Sequence, residues 1–419
     1  MPELSTNSCR RFAESANCSN RAASFLFEAI NRLCVVLSES GVIRPHLEEQ
    51  ALLNAAQKKI GLFDFGNENF REGLSVLLDS ARRDVKFHVL GQLSFRDFIV
   101  RMLTNRLLLC EARKHWTKEM VPLKPPLVVT GLARSGTTFL HRLLGQDPAN
   151  RVLPLWKLLK PVPDGNGRDR HRLQTELQLR MMACIAPDLD KKHYTRADTP
   201  EECIVLLASS FVSLIYYAMA PVYSYAEWYM KHDLLTGYKE YRTQLELLQQ
   251  SVPYSRLALK APDHMAALDV IEKVIPEAMV VQSHRDPTEC VHSVNSLQLS
   301  LYSMMVRELD AKKMVKANLD YLANEMERNM AYHGSGRNNI FHVSYKALVY
   351  DPLACMKAIY EHFRLHFTEA FEKNIVKYIQ LNPKGGRGMH HYRQKLFGLR
   401  DEEIMERFSP YTNQFLEYL

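Results

Sequence analysis

An apolar run, Leu127-Val-Val-Thr-Gly131, opens into Gly131-Leu-Ala-Arg134-Ser135-Gly136-Thr137-Thr138 and then into a stretch carrying Phe139, Leu140, Leu143 and Leu144 at helical spacing. Strand, glycine loop and helix in that order aim backbone N–H groups and a helix N-terminus at one point, the arrangement with which a chain grips an anion. The loop is nearly a nucleotide triphosphatase phosphate loop but departs from it at one position. Thr137 stands where the lysine that reaches for a γ-phosphate would be, and the cation, Arg134, lies inside the loop. A second anion site is written in His284-Arg285-Asp286-Pro287, with Ser293 eight residues beyond Arg285. Asp286, Pro287 and Glu289 have the N-cap, N1 and N3 chemistry of a helix start, so an arginine precedes the helix and a hydroxyl sits on it. Lys260 and His264 close a third strand-end segment, Leu257-Ala-Leu-Lys-Ala-Pro-Asp-His264.

The elements that must position these groups follow from periodicity. Residues 20–120 read as helices, with Phe25, Ile30, Leu33 and Leu37, then Phe98, Met102, Leu103 and Leu107, near helical spacing. Lys124-Pro125-Pro126 marks a boundary. Beyond it, strands are expected at Leu257–Lys260, Met279–His284 and Ile340–Ser344. Helices follow them, with Asp263, Asp286 and Asp351 as caps. Strands separated by helices imply an α/β fold: a P-loop-type three-layer α/β/α arrangement around a central parallel sheet. The division is an N-terminal helical region, 1–123, and a core, 124–419, with a helical insertion at about 165–250 between the first and second strands. Ligands of such sheets bind at the carboxyl ends of the strands, where all three segments end.

Composition narrows the class. With 419 residues, 46% hydrophobic and 24% charged, the chain can bury a large core. A net charge of +7 suits a polyanionic small ligand, and the scattered basic residues give no nucleic-acid footprint. None of the eight cysteines has CxxC spacing, so neither zinc nor any other metal is expected. No signal peptide is visible, and the expectation is a soluble, cytoplasmic protein, with peripheral contact to a membrane left open. The uncharged stretch Cys203–Tyr225 is long enough to span a bilayer. Its serines, its tyrosines and Pro221 favour instead a buried helix lining a pocket, and hence an acceptor with a large apolar part. Tyr216, Tyr217, Tyr223 and Tyr225 hint at such an acceptor, and core packing explains them as well.

Taken with Gly61-Leu-Phe-Asp-Phe-Gly66, Leu140-His-Arg-Leu-Leu-Gly-Gln-Asp-Pro148, Thr199-Pro-Glu-Glu-Cys203, Leu259-Lys-Ala-Pro-Asp-His264 and Gly388-Met-His-His-Tyr392, these motifs resemble the broad sulfotransferase family. Its members use 3′-phosphoadenosine 5′-phosphosulfate (PAPS), and this lineage is distinct from the cytosolic phenol and steroid enzymes. The resemblance implies that Arg134, Ser135, Gly136, Thr137 and Thr138 hold the 5′-phosphosulfate and that Arg285 and Ser293 hold the 3′-phosphate. Lys384, Arg387 and Gly388 resemble the basic loop that closes over the nucleotide. The implied reaction is in-line, metal-independent sulfuryl transfer from PAPS to a hydroxyl of a small-molecule or lipid-like acceptor. Arg134 and Lys260 would stabilise the leaving oxygen, and His264 would be the base. Where the lineage commonly has a glutamate after a tryptophan, this chain has Trp156-Lys157, which leaves His264, His193, Glu201 or Glu202 to take the proton. The alternatives are a P-loop small-molecule kinase and a PAPS-binding protein of weak turnover.

Overall fold

The computed structural model describes residues 19–42, 45–115, 121–162, 168–185, 193–334, 340–382 and 398–419. Five strands, β1 (Leu127–Gly131), β2 (Asn150–Val152), β3 (Arg256–Lys260), β4 (Met279–His284) and β5 (Ile340–Ser344), form one sheet in the order β2-β3-β1-β4-β5. Every pair is parallel. Central β1 is buried along its whole length, as a continuous apolar run between two parallel neighbours requires.

Helices α1 (Ser19–Glu39), α2 (Glu49–Ile60), α3 (Phe70–Asp84) and α4 (Val89–Lys114) precede the sheet. After β1 come α5 (Thr137–Leu144), α6 (Arg168–Ile185), α7 (Tyr223–Lys231), α8 (Leu235–Gln250), α9 (Leu268–Val274), α10 (Pro287–Ser303), α11 (Ala311–Gly334), α12 (Pro352–His362), α13 (Glu369–Leu381) and α14 (Asp401–Gln414). Side-chain alternation along β1 builds two of the layers. Leu127 and Val129 pack with Leu140, Leu143 and Leu144 of α5 and with Ile359 of α12 and Phe371 of α13. Val128 faces the other way, into the large core shared with α2, α3 and α4. The three-layer α/β/α expectation, with its N-terminal helical layer, is therefore what the chain folds into.

Three local expectations need correction. β2 is three residues long, too short to show a period, so the helical insertion lies between β2 and β3 rather than between the first two strands. Cys203–Tyr225 is buried but is not one helix. It breaks into Ile204–Leu207, a 3₁₀ turn at Ala208–Ser210, and Ile215–Met219, with Phe211 left-handed at φ 59°. The break has a side-chain cause: the Ser210 hydroxyl accepts from Val212 N at 3.2 Å, and the Ser213 hydroxyl donates to the Ile204 carbonyl at 3.2 Å. Asp263 does not cap a helix; it sits in the 3₁₀ turn Pro262–Ala267 and accepts from the Tyr321 hydroxyl at 3.1 Å. Asp286 and Asp351 do cap, accepting from Thr288 N at 2.8 Å and Ala354 N at 2.9 Å. Among the described residues no helix is long and apolar enough to cross a membrane.

Arg106 fastens the N-terminal layer to the insertion. From α4 it pairs with Glu240 of α8 at 2.6 Å, donates to the Asn67 carbonyl at 2.9 Å, and lies 4.3 Å from the centre of the Phe70 ring. Its side chain is 4% exposed and that of Glu240 is 12% exposed. Removing one member of such a pair leaves the other buried and uncompensated. Arg106→Met should therefore lower the free energy of unfolding by about 3–5 kcal/mol, read from urea denaturation; an unchanged midpoint would show that the pair adds nothing.

Candidate active site

The carboxyl edge of β1, β3 and β4 gathers the chemistry. A Cβ on Gly131 would stand 2.2 Å from the Ser283 carbonyl oxygen on β4, so only glycine lets the chain leave the strand there. The loop then turns through left-handed residues, Arg134 at φ 76° and Gly136 at φ 93°, before Thr137 and Thr138 begin α5. Left-handed φ is costly for an arginine and is typical of a backbone nest that presents N–H groups to an anion. The buried Ser135 hydroxyl has no hydrogen-bond partner among the described residues, so the cradle retains unspent donor capacity.

The second motif meets the first directly. Arg134 Nε donates to Ser293 Oγ at 2.9 Å, and Arg285 Nη1 donates to the Arg134 carbonyl at 3.0 Å. Arg285 also lies 4.2 Å over the Tyr345 ring and donates through Nε to Glu289 at 2.8 Å. Tyr345 braces the loop as well, since a Cβ on Gly136 would come within 2.6 Å of its ring.

Lys260 ends β3 as a buried ammonium, 1% exposed. Its Nζ lies 2.6 Å from Glu202 Oε1, 3.9 Å from Glu201 Oε1 and 3.4 Å from Thr138 Oγ1. It therefore joins the glycine loop to two carboxylates of the insertion. Glu201 Oε2 is 3.1 Å from His193 Nε2 and accepts from Thr195 Oγ1 at 3.1 Å. Beside Glu201 the His193 imidazole is raised above its ordinary value. Burial works to raise the Glu201 carboxyl, but His193 and Lys260 together hold it well below the usual range. Asp263, near the same cluster, is pushed up to about 7 by burial and by the charge of Glu202.

His264 is where sequence reasoning fails. It is fully buried, with Nδ1 at 2.8 Å from the Tyr238 hydroxyl and Nε2 at 3.3 Å from Cys203 Sγ. Burial pushes it down to about 3. Both nitrogens are occupied by partners inside the core. It has turned inward with the 3₁₀ segment Pro262–Ala267. Lys157 also lies away from this centre, bonded to Ser251 Oγ at 2.5 Å. Tyr216 and Tyr225 pack on one another, and Phe95, Phe98 and Phe211 surround Tyr216, so both belong to the core. Lys384, Arg387 and Gly388 lie outside the described residues.

A family profile described as "Sulfotransferase family" matches residues 125–369, more than half of the chain. The chain belongs to the sulfotransferase family. Omega-hydroxy-beta-dihydromenaquinone-9 sulfotransferase Stf3 of Mycobacterium bovis (strain ATCC BAA-935 / AF2122/97) is 25% identical over 279 residues, covering 62% of this chain and 68% of that protein. The crystal structure of sulfotransferase STF1 from Mycobacterium tuberculosis H37Rv is 30% identical, covers 87% of this chain and 98% of that one, and superposes with a TM-score of 0.71. That of sulfotransferase STF9 from Mycobacterium avium is 25% identical, covers 88% and 97%, and gives 0.79. The protein is thus a sulfotransferase enzyme of a lineage apart from the cytosolic phenol and steroid type, and a sulfuryl donor is its co-substrate.

Three residues of this sulfotransferase's site escaped sequence reasoning. Tyr345 directly follows the carboxyl end of β5, so the strand-end rule could have found it. Tyr321 and Glu325, one turn apart on α11, contribute the hydroxyl on Asp263 and a buried carboxyl beside it. No local signal marks them.

The buried neutral histidines predict an acid-sensitive fold. His141 and His264 stay uncharged in the folded chain down to about 4 and about 3, against an ordinary 6.5. The unfolded chain binds their protons first, so stability is full above pH 6.5 and falls as pH drops toward 4. The slope is about 1.4 kcal/mol per pH unit per histidine. Unfolding free energies at pH 7, 6 and 5 should show this decline. His264→Gln should flatten it by one histidine's share; an unaltered slope would refute the assignment.

Proposed function

We propose that this sulfotransferase takes its sulfuryl group from PAPS and transfers it to the hydroxyl of an apolar, lipid-like acceptor. The observation that carries the donor reading is the Arg134–Ser293 contact with Arg285 beside it. It bridges the glycine-loop anion site to a second one, as a nucleotide with phosphate on both its 5′ and 3′ sides requires. The residues fit such a ligand. The loop carries an unpartnered Ser135 hydroxyl and the glycine-only approach at Gly131, and the second site offers an arginine of fork geometry.

PAPS supplies an activated sulfur whose bond to the bridging phosphate oxygen breaks during transfer. Arg134, Ser135, Gly136, Thr137 and Thr138 bind the phosphosulfate, and Arg285 and Ser293 the 3′-phosphate. Lys260, between Thr138 and Glu202, places positive charge where the leaving oxygen gains negative charge. Glu202 Oε1 takes the proton of the acceptor hydroxyl as its oxygen bonds to sulfur. Glu201, fixed by His193 and Thr195, holds the acid pair in place. Glu202 replaces His264 in this role because it is part-exposed beside Lys260, whereas His264 is sealed in the core. The lipid-like acceptor is supported by the Stf3 relative, whose name gives a hydroxylated menaquinone as its substrate.

Calorimetry with 3′-phosphoadenosine 5′-phosphate tests the donor site, with ADP and magnesium-ATP as controls. Arg285→Ala should weaken binding by about 10–100-fold, the scale of a charge-assisted hydrogen bond. Preference for magnesium-ATP would return the kinase reading. Glu202→Gln should lower kcat by about 10²–10⁴-fold while leaving nucleotide affinity unchanged; full turnover in that variant would remove Glu202 as base.

A further inference from the structure

α6 carries an apolar stripe on its solvent side. Leu173, Leu177, Met181 and Cys184 recur at i, i+4, i+8 and i+11, and all are exposed. Thr175, on the opposite side of the helix, is the buried residue that seats it. The stripe is therefore the face turned fully outward, where a helix of a water-soluble protein is ordinarily polar. Arginines stand on the same face near its two ends: Arg170 exposed, and Arg180 with 72% of its side chain exposed while pairing with Glu176. α1 packs beside α6 and leaves Leu33 and Val36 exposed. Leu33, Val36, Leu173, Leu177 and Met181 are thus five of the fourteen exposed large hydrophobic side chains among the described residues, on two helices in contact.

We propose that the α6 face is a docking surface for an anionic membrane leaflet, through which the enzyme meets its acceptor. Apolar side chains along one face with cations at the ends match a lipid interface, where the chains enter the acyl boundary and guanidinium groups stay among phosphate headgroups. A net charge of +7 favours the same surface. A bilayer asks only for the stripe and the arginines.

The same helix is tied to the acceptor side of the active site. Glu176 accepts from Ala197 N at 3.1 Å, and Arg172 pairs with Asp198 through Nε at 2.8 Å to both carboxylate oxygens. Those residues lead into Glu201 and Glu202. A leaflet held against α6 is thus linked through one short segment to the carboxylates beside Lys260. The inference rests on the lipid-like acceptor of the proposed function, but its test does not.

The full chain is sedimented with phosphatidylcholine vesicles, with and without phosphatidylglycerol, in the absence of donor and acceptor. Wild type should co-sediment with the anionic vesicles. Leu177→Glu combined with Met181→Glu should reduce bound protein about tenfold or more, with an unchanged melting temperature. Arg170→Ala combined with Arg180→Ala should lose the preference for phosphatidylglycerol. No binding by wild type, equal binding by the glutamate variant, or a concentration-dependent dimer that the same variant dissociates would overturn the proposal. Sulfation of a soluble short-chain alcohol, measured separately, reads the proposed function alone and should be the same in the glutamate variant.

Discussion

A lysine ammonium buried at the end of a strand needs anions within reach, because an unpaired charge away from water costs several kcal/mol. Lys260 is that residue, and meeting its need organises the molecule. Glu202 and Glu201 come from the middle of the helical insertion, and Thr138 comes from the first turn after the glycine loop. One side chain therefore fixes the insertion, the loop and β3 against each other. The Cys203 N–H donating to the Lys260 carbonyl at 2.9 Å repeats the same join in the backbone.

On the opposite flank of β1 the residues of the glycine loop and of the Arg285 motif hold each other in place. Arg134 reaches Ser293 on α10, Arg285 reaches back to the Arg134 carbonyl, and Tyr345 presses on both the loop and the Arg285 guanidinium. Left-handed φ at Arg134 is tolerated because these contacts over-determine the turn. Pre-organisation of this kind lowers the ordering cost of binding.

Much of this was legible in the sequence, for local reasons. Met279–His284 and Ile340–Ser344 are the observed strands to the residue, because each opens on large apolar residues and runs directly into a segment with the marks of a helix start. Asp286 and Asp351 announce their helices through the proline that follows each. What escaped depends on long-range placement. Three-residue β2 has no period, and Cys203–Tyr225 is uncharged throughout yet yields to its own serine hydroxyls. His264 is the base expected from the family resemblance, but the 3₁₀ turn carries it into the core toward Tyr238. Tyr321 and Glu325 sit on α11, some sixty residues after Asp263, and only the packing of α11 on the Pro262–Ala267 turn brings them there.

Glu289 has a consequence of its own. It sits one helical turn beyond Arg285 and neutralises that guanidinium with a carboxylate from the same chain. The arginine is thus paired on an already cationic protein, and at the proposed 3′-phosphate site an anion would enter by exchange rather than by addition. The standing affinity of the site is then the difference between two ion pairs, one internal and one external. Such a balance can be reset from Glu289 without altering a single atom that an incoming anion touches.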